Sequence, residues 1–145
     1  MESRLAAMVL LAAFAVSGCD DSPLVAPVTG VVTLDGEPLK FGYVVFQPTS
    51  GQMSKSEIGS DGSFEMSTFK LHDGATIGTH LVSVKCNEGH SPEARAQRQG
   101  DGVVLGRSLV PAAYTRGNMS GITADVPKEG LPDFRIELSS QGPGR

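Results

Sequence analysis

The stretch Thr79-His80-Leu81-Val82-Ser83-Val84-Lys85-Cys86 decides the fold class. A period of two puts His80, Val82, Val84 and Cys86 on one face and Leu81, Ser83 and Lys85 on the other. That alternation, with β-branched residues at its centre, predicts a β-strand with one face turned to a core. The chain has no long helical periodicity to set against it. Its 18 glycines and 9 prolines in 145 residues predict frequent turns.

Working outward, the same grammar recurs. Val28–Leu34 (VTGVVTL) is rich in β-branched residues and sets Val28, Gly30, Val32 and Leu34 on one face. Asp35-Gly36 follows as a turn, because both residues tolerate positive φ. Pro38 bars an ordinary ladder, so Glu37-Pro38-Leu39 is expected along an edge. Gly42–Gln47 is the next strand, with Val44 and Phe46 together and Pro48 as its stop. A polar loop is expected over Thr49–Ser56, then a short strand at Glu57-Ile58-Gly59 and a turn at Ser60-Asp61-Gly62. Ser63–Ser67 turns Phe64 and Met66 inward, and Asp73-Gly74 marks a bend before the central strand.

Beyond Cys86, residues 87–107 lack strand patterning. Inside them Ser91-Pro92-Glu93 has the order of a helix start: a cap, a proline at the first helical position, and an acid at the positive end. Gly100 is expected to stop this short helix. Ser108–Tyr114 reads as an extended piece broken by Pro111. Ser120–Val126 alternates with Ile122, Ala124 and Val126 on one face, and Asp133–Leu138 with Phe134, Ile136 and Leu138. The total is about seven strands, which predicts an all-β antiparallel sandwich with a short helix in the 87–107 loop.

The amino terminus has a different character. Arg4 precedes an apolar run from Leu5 to Val16, which is shorter than the roughly 20 residues that span a bilayer. A charged start, an apolar middle and a small-residue exit describe a secretory signal. Val16-Ser17-Gly18-Cys19 resembles the bacterial lipobox at every position. The resemblance implies cleavage between Gly18 and Cys19 and diacylglyceryl modification of the Cys19 sulfur. The expected organisation is a signal at 1–18, a tether at 19–27, the sandwich at 28–138 and a disordered polar tail at 139–145. The expected address is the cell envelope, lipid-anchored to the inner or outer membrane and facing the periplasm or exterior.

The order of motifs carries a second likeness. Val28-Thr29-Gly30-Val31-Val32, Asp35-Gly36-Glu37-Pro38-Leu39, Val44-Val45-Phe46-Gln47-Pro48 and Asp61-Gly62-Ser63-Phe64 succeed one another. Gly74-Ala75-Thr76-Ile77-Gly78-Thr79-His80-Leu81-Val82-Ser83-Val84, Val110-Pro111-Ala112-Ala113-Tyr114 and Phe134-Arg135-Ile136-Glu137-Leu138 complete the series. Together they resemble small bacterial lipoproteins with a carboxypeptidase regulatory-like domain. That implies a transthyretin-like β-sandwich over Val28–Leu138. His80 stands where such proteins usually carry an aromatic, and Ala113 where they often carry Lys.

Composition narrows function further. A net charge of −4 with no basic stripe gives no nucleic-acid footprint. The chain's two cysteines, Cys19 and Cys86, leave no internal disulfide if Cys19 carries lipid. No Cys/His spacing suits zinc, so neither metal nor cofactor is expected. His80 is expected as a core or rim histidine with one hydrogen-bond partner, Cys86 as a buried small hydrophobe, and His72 and His90 as exposed polar loop residues. Ser120 lacks a nucleophile elbow and is expected to be a strand residue. A transthyretin-like hydrolase is a remote alternative, because the Tyr-Arg-Gly-Ser ending of that family is not at the end of this chain. The expectation is a non-catalytic structural or protein-interaction module, anchored in the membrane by lipid and bound to an envelope protein. Arg95 and Arg98 are its candidate interaction surface. Carbohydrate or small-ligand binding is the alternative, weakened by the absence of Trp and the presence of only two tyrosines, Tyr43 and Tyr114.

Overall fold

The computed structural model describes residues 24–98, 100, 102 and 104–144. The expected signal at 1–18, the cleavage site at Gly18 and the lipidation site at Cys19 lie outside the described residues.

Two four-stranded sheets face each other. One has the order β5 (Ser54–Glu57), β4 (Tyr43–Pro48), β8 (Gly78–Lys85) and β9 (Thr123–Val126), antiparallel throughout. The other is built on β2 (Val28–Leu34), which pairs with β3 (Glu37–Pro38), β6 (Ser63–Glu65) and β10 (Leu131–Leu138). A small ladder joins β1 (Val25–Ala26) to β7 (Ala75–Thr76). Two short helices, α1 (Pro92–Ala96) and α2 (Gly117–Ser120), lie in the connections. The molecule is an all-β sandwich, as the alternation in β8 predicts.

The inward faces match the period-two reading. Val28, Val32, Val44, Phe46, Phe64, Met66, Val82, Val84, Ala124, Val126, Ile136 and Leu138 are all buried. Phe46 sits at the centre, its ring 6.4 Å from that of Phe64 and 5.9 Å from that of Phe134. Full burial of one side chain of this kind contributes about 1.5–3 kcal/mol. Gly30 belongs to the same face because nothing larger fits: an added Cβ would overlap the Phe134 carbonyl oxygen and stand 2.5 Å from the Phe64 ring. Asp35 and Gly36 take φ of 50° and 86°, the two positive values that a tight hairpin turn demands. Glu37-Pro38 forms the edge strand β3, where a missing amide costs the sheet nothing.

Several expectations are corrected. β10 pairs with β2 in parallel, so the sandwich is not antiparallel throughout. The chain crosses from β9 in one sheet to β10 in the other, and that crossover sets the direction. The short strand expected at Glu57-Ile58-Gly59 runs instead over Ser54–Glu57, so Ser54–Ser56 are strand where a loop was expected. Its buried serines are satisfied: Ser54 Oγ lies 2.7 Å from Thr68 Oγ1, and Ser56 Oγ accepts from the Glu65 amide. Ser120 ends α2 instead of starting a strand, and Gly121 at φ 71° breaks the helix. Its hydroxyl donates to the Val82 carbonyl at 2.5 Å, which pins α2 to β8. Ala112–Thr115 is a 3-10 turn, not an extended piece.

Both ends of the expected domain are longer than drawn. Val25 and Ala26 fall in the expected tether but form β1, with Ala26 buried. The expected polar tail starts by being tied down. The Ser139 amide donates to Tyr114 Oη at 3.1 Å and the Ser140 amide to Asp35 Oδ1 at 3.0 Å.

Candidate functional site

The strand directions give the sandwich two unlike ends. β8 starts at Gly78 opposite the finish of β9 and runs to Lys85 opposite Tyr43, the first residue of β4. The end beyond Lys85 therefore carries Tyr43, Glu57 and the 87–107 excursion, whereas Leu24 enters at the opposite end beside Ile77.

At the far end α1 forms as its sequence requires. Ser91 Oγ accepts from the Ala94 amide at 3.1 Å, Pro92 occupies the first turn, and Gln97 closes the helix before Gly100 is reached. So short a helix is marginal by itself and needs a dock. Arg95 supplies it. Its Nη1 lies 2.8 Å from Glu57 Oε1, and its Nη2 donates to Tyr43 Oη at 3.0 Å. Tyr43 Oη donates in turn to Glu57 Oε1 at 3.1 Å. Lys55 Nζ stands 3.8 Å from the Tyr43 ring centroid, and the His90 ring packs perpendicular to it with centroids 5.0 Å apart.

Electrostatics follows from this packing. Partial burial disfavours the Glu57 charge, but hydrogen bonds from Arg95 and Tyr43 win and hold its carboxyl below the ordinary value. Burial, then the Glu57 hydrogen bond, push the Tyr43 phenol up. Burial together with the nearby Arg95, Lys55 and Arg98 charges pushes the His90 imidazole down from 6.5. His90 Nδ1 accepts from the Asn87 amide at 3.2 Å, a bond that needs the unprotonated nitrogen.

Both expected surface residues are exposed: Arg95 is engaged with Glu57 and Tyr43, and Arg98 makes one long 3.5 Å bond to the Gly89 carbonyl. Lys55 escaped the sequence reading because residues 49–56 look like a loop, and nothing local joined Tyr43 and Glu57 to Arg95. The alternation Ser54-Lys55-Ser56-Glu57 was the available signal, since it sets Lys55 and Glu57 on one face. An open groove of about 870 Å³ runs from this cluster across β6 and β2, lined by Tyr43, Lys55, Glu57, Glu65, His72 and Asp133 among others.

The remaining candidates lie outside this network. His80 is 1% exposed, its Nε2 donates to the Thr76 carbonyl at 2.6 Å, and its ring packs on Phe46. Cys86 is buried, and desolvation pushes its thiol up to about 11. His72 is exposed and lies 3.4 Å from Glu65. Among the described residues no three His, Cys, Asp or Glu side chains converge as a metal site, and no helix is long and apolar enough to cross a membrane.

Fold and site define an all-β sandwich with a helical flap clamped over one end by a Tyr-Glu-Arg network. The chain matches no family model, no curated protein and no solved structure.

Proposed function

We propose that this protein is a lipid-anchored cell-envelope β-sandwich that acts by binding another protein, without catalysis. The observation that carries the reading is the entry of the chain. The first described strand, β1, starts at Val25, so the sandwich begins six positions after the lipobox Cys19, 25 − 19 = 6. Two acyl chains on that residue hold a protein stably at a bilayer. The far end, with α1 and the exposed Arg98, then faces away from the lipid and is the surface available to an envelope partner.

The carbohydrate alternative is weakened by the two tyrosines. Tyr114 is buried, and one face of Tyr43 is covered by Lys55, so neither presents an open stacking platform. Crosslinking from the anchored protein, with a photoreactive residue in place of Arg98, is expected to capture a defined envelope protein. Arg98→Glu is expected to abolish capture, tested by a second photoreactive residue in place of Glu93, while leaving the thermal midpoint unchanged. Undiminished capture by that variant rules out the flap as the interface.

A further inference from the structure

The end of the sandwich where the chain enters carries an unexpected load of exposed apolar side chains. Four loops or segments meet there: Leu24–Pro27, Thr49–Met53, Ser67–Gly74 and Pro127–Gly130. Their grouping follows from the ladders. Leu131 lies beside Val28, Glu65 beside Thr29, Ser54 beside Phe46 and Gly78 beside Val126. On these segments Leu24 is 70% exposed, Met53 53%, Phe69 52% and Leu71 82%.

The 67–74 loop is built, not slack. Asp73 accepts from the amides of Thr68, Phe69 and Lys70 at 2.6, 3.0 and 2.8 Å, and Ser67 Oγ accepts from the His72 amide. Its conformation is fixed by its own hydrogen bonds, yet Phe69 and Leu71 stay in water. A loop backbone held in this way loses little further entropy when its exposed side chains enter an apolar phase.

We propose that this end rests on the phospholipid surface, with Leu24, Met53, Phe69 and Leu71 dipping into the interface. This rests on the reading of Cys19 as the acylated residue. Leu24 lies five positions after Cys19, 24 − 19 = 5, a reach of at most about 18 Å when fully extended. The headgroup layer of one leaflet takes up about 5–8 Å of that. The sandwich is thus held within about 10 Å of the headgroups, and the nearest part of it is this apolar end. Lys70 and Lys128 on these segments are offset by Asp73 and Glu129, so apolar insertion and not charge drives the contact. Zwitterionic lipid is therefore sufficient.

The test uses the full chain, purified with its native anchor and reconstituted in phosphatidylcholine vesicles. A polarity-sensitive fluorophore goes on Leu71→Cys or, as the far-end control, on Glu37→Cys. Cys86 is buried and an acylated Cys19 is blocked, so only the introduced thiol is labelled. Headgroup-depth spin-labelled lipid is expected to quench the probe at position 71 by at least about twofold and to leave position 37 unchanged. Asp73→Ala, which frees the loop, is expected to reduce the quenching at 71. Mass analysis of the Cys19 peptide separates the two ideas. Acylated Cys19 with no quenching at 71 overturns the membrane contact and leaves the anchor standing. An unmodified Cys19 thiol removes the anchor and overturns both.

Discussion

Arg95 of α1 and Glu57 of β5 meet at 2.8 Å, with the Tyr43 hydroxyl bonded to both. This three-membered contact converts a helix of five residues into a docked flap over the end of the sandwich. Arg95 is 39% exposed and Glu57 60%, so water screens the pair and its energy is small. Its value lies in position: it decides whether the flap is held.

Arg95→Ala is therefore expected to cost only about 0.5–1 kcal/mol of global stability. The same change is expected to lower hydrogen-exchange protection of the 92–97 amides by about tenfold, because the helix loses its dock. A fall in global stability with unchanged local protection would contradict the clamp.

His90 makes the flap sensitive to mild acid. Its folded value lies below the ordinary 6.5, through burial and the Arg95, Lys55 and Arg98 charges, with Glu57 the one facing group that opposes them. A depressed histidine is neutral in the fold, so the unfolded chain binds the proton more readily as pH falls. Its contribution is full above 6.5 and is lost as pH drops from there through the lower folded value. Protonation also ends the bond from the Asn87 amide. The protection factors of the 88–97 amides, taken relative to intrinsic exchange at each pH, are expected to fall as pH drops below about 6.5, with His90→Gln flattening the dependence.

Gly30 tests the core. An added methyl would meet the Phe134 carbonyl and the Phe64 ring, in a strand paired on both sides. Gly30→Ala is expected to destabilise by about 2–3 kcal/mol or more, measured by urea unfolding. The control Gly51→Ala changes an open site, where no atom comes within 4 Å of the added Cβ. Gly51 sits at φ 99°, a conformational cost that Gly30 does not share, so a loss at Gly30 larger than that at Gly51 is due to the clash.

Cys86 should be chemically quiet. Burial raises its thiol to about 11 from 9.0, which lowers the thiolate fraction roughly a hundredfold at neutral pH. Alkylation of the folded protein is expected to be slower than that of the urea-unfolded protein by at least this factor, read by intact mass against time.

The sequence by itself determined the class of fold, because its signals are local. Alternation in Thr79–Cys86, Val28–Leu34 and Asp133–Leu138 reports which face of a strand is buried, and Asp35-Gly36 reports a turn, without reference to any other segment. Ser91-Pro92-Glu93 located α1 for the same reason. Period two says nothing of which strand lies alongside, so the parallel β2–β10 pairing was decided only in three dimensions. The strand at Ser54–Glu57 was hidden because serine reads as loop until Thr68 and the Glu65 amide satisfy its hydroxyls. Ser120 likewise joins α2 because the Val82 carbonyl, 38 residues away, takes its hydroxyl. The Tyr43–Glu57–Arg95 clamp and the apolar entry end gather side chains from separate loops. Contacts of that kind exist only after the chain has closed on itself, since hydrogen bonding and burial depend on distance in space and not along the chain.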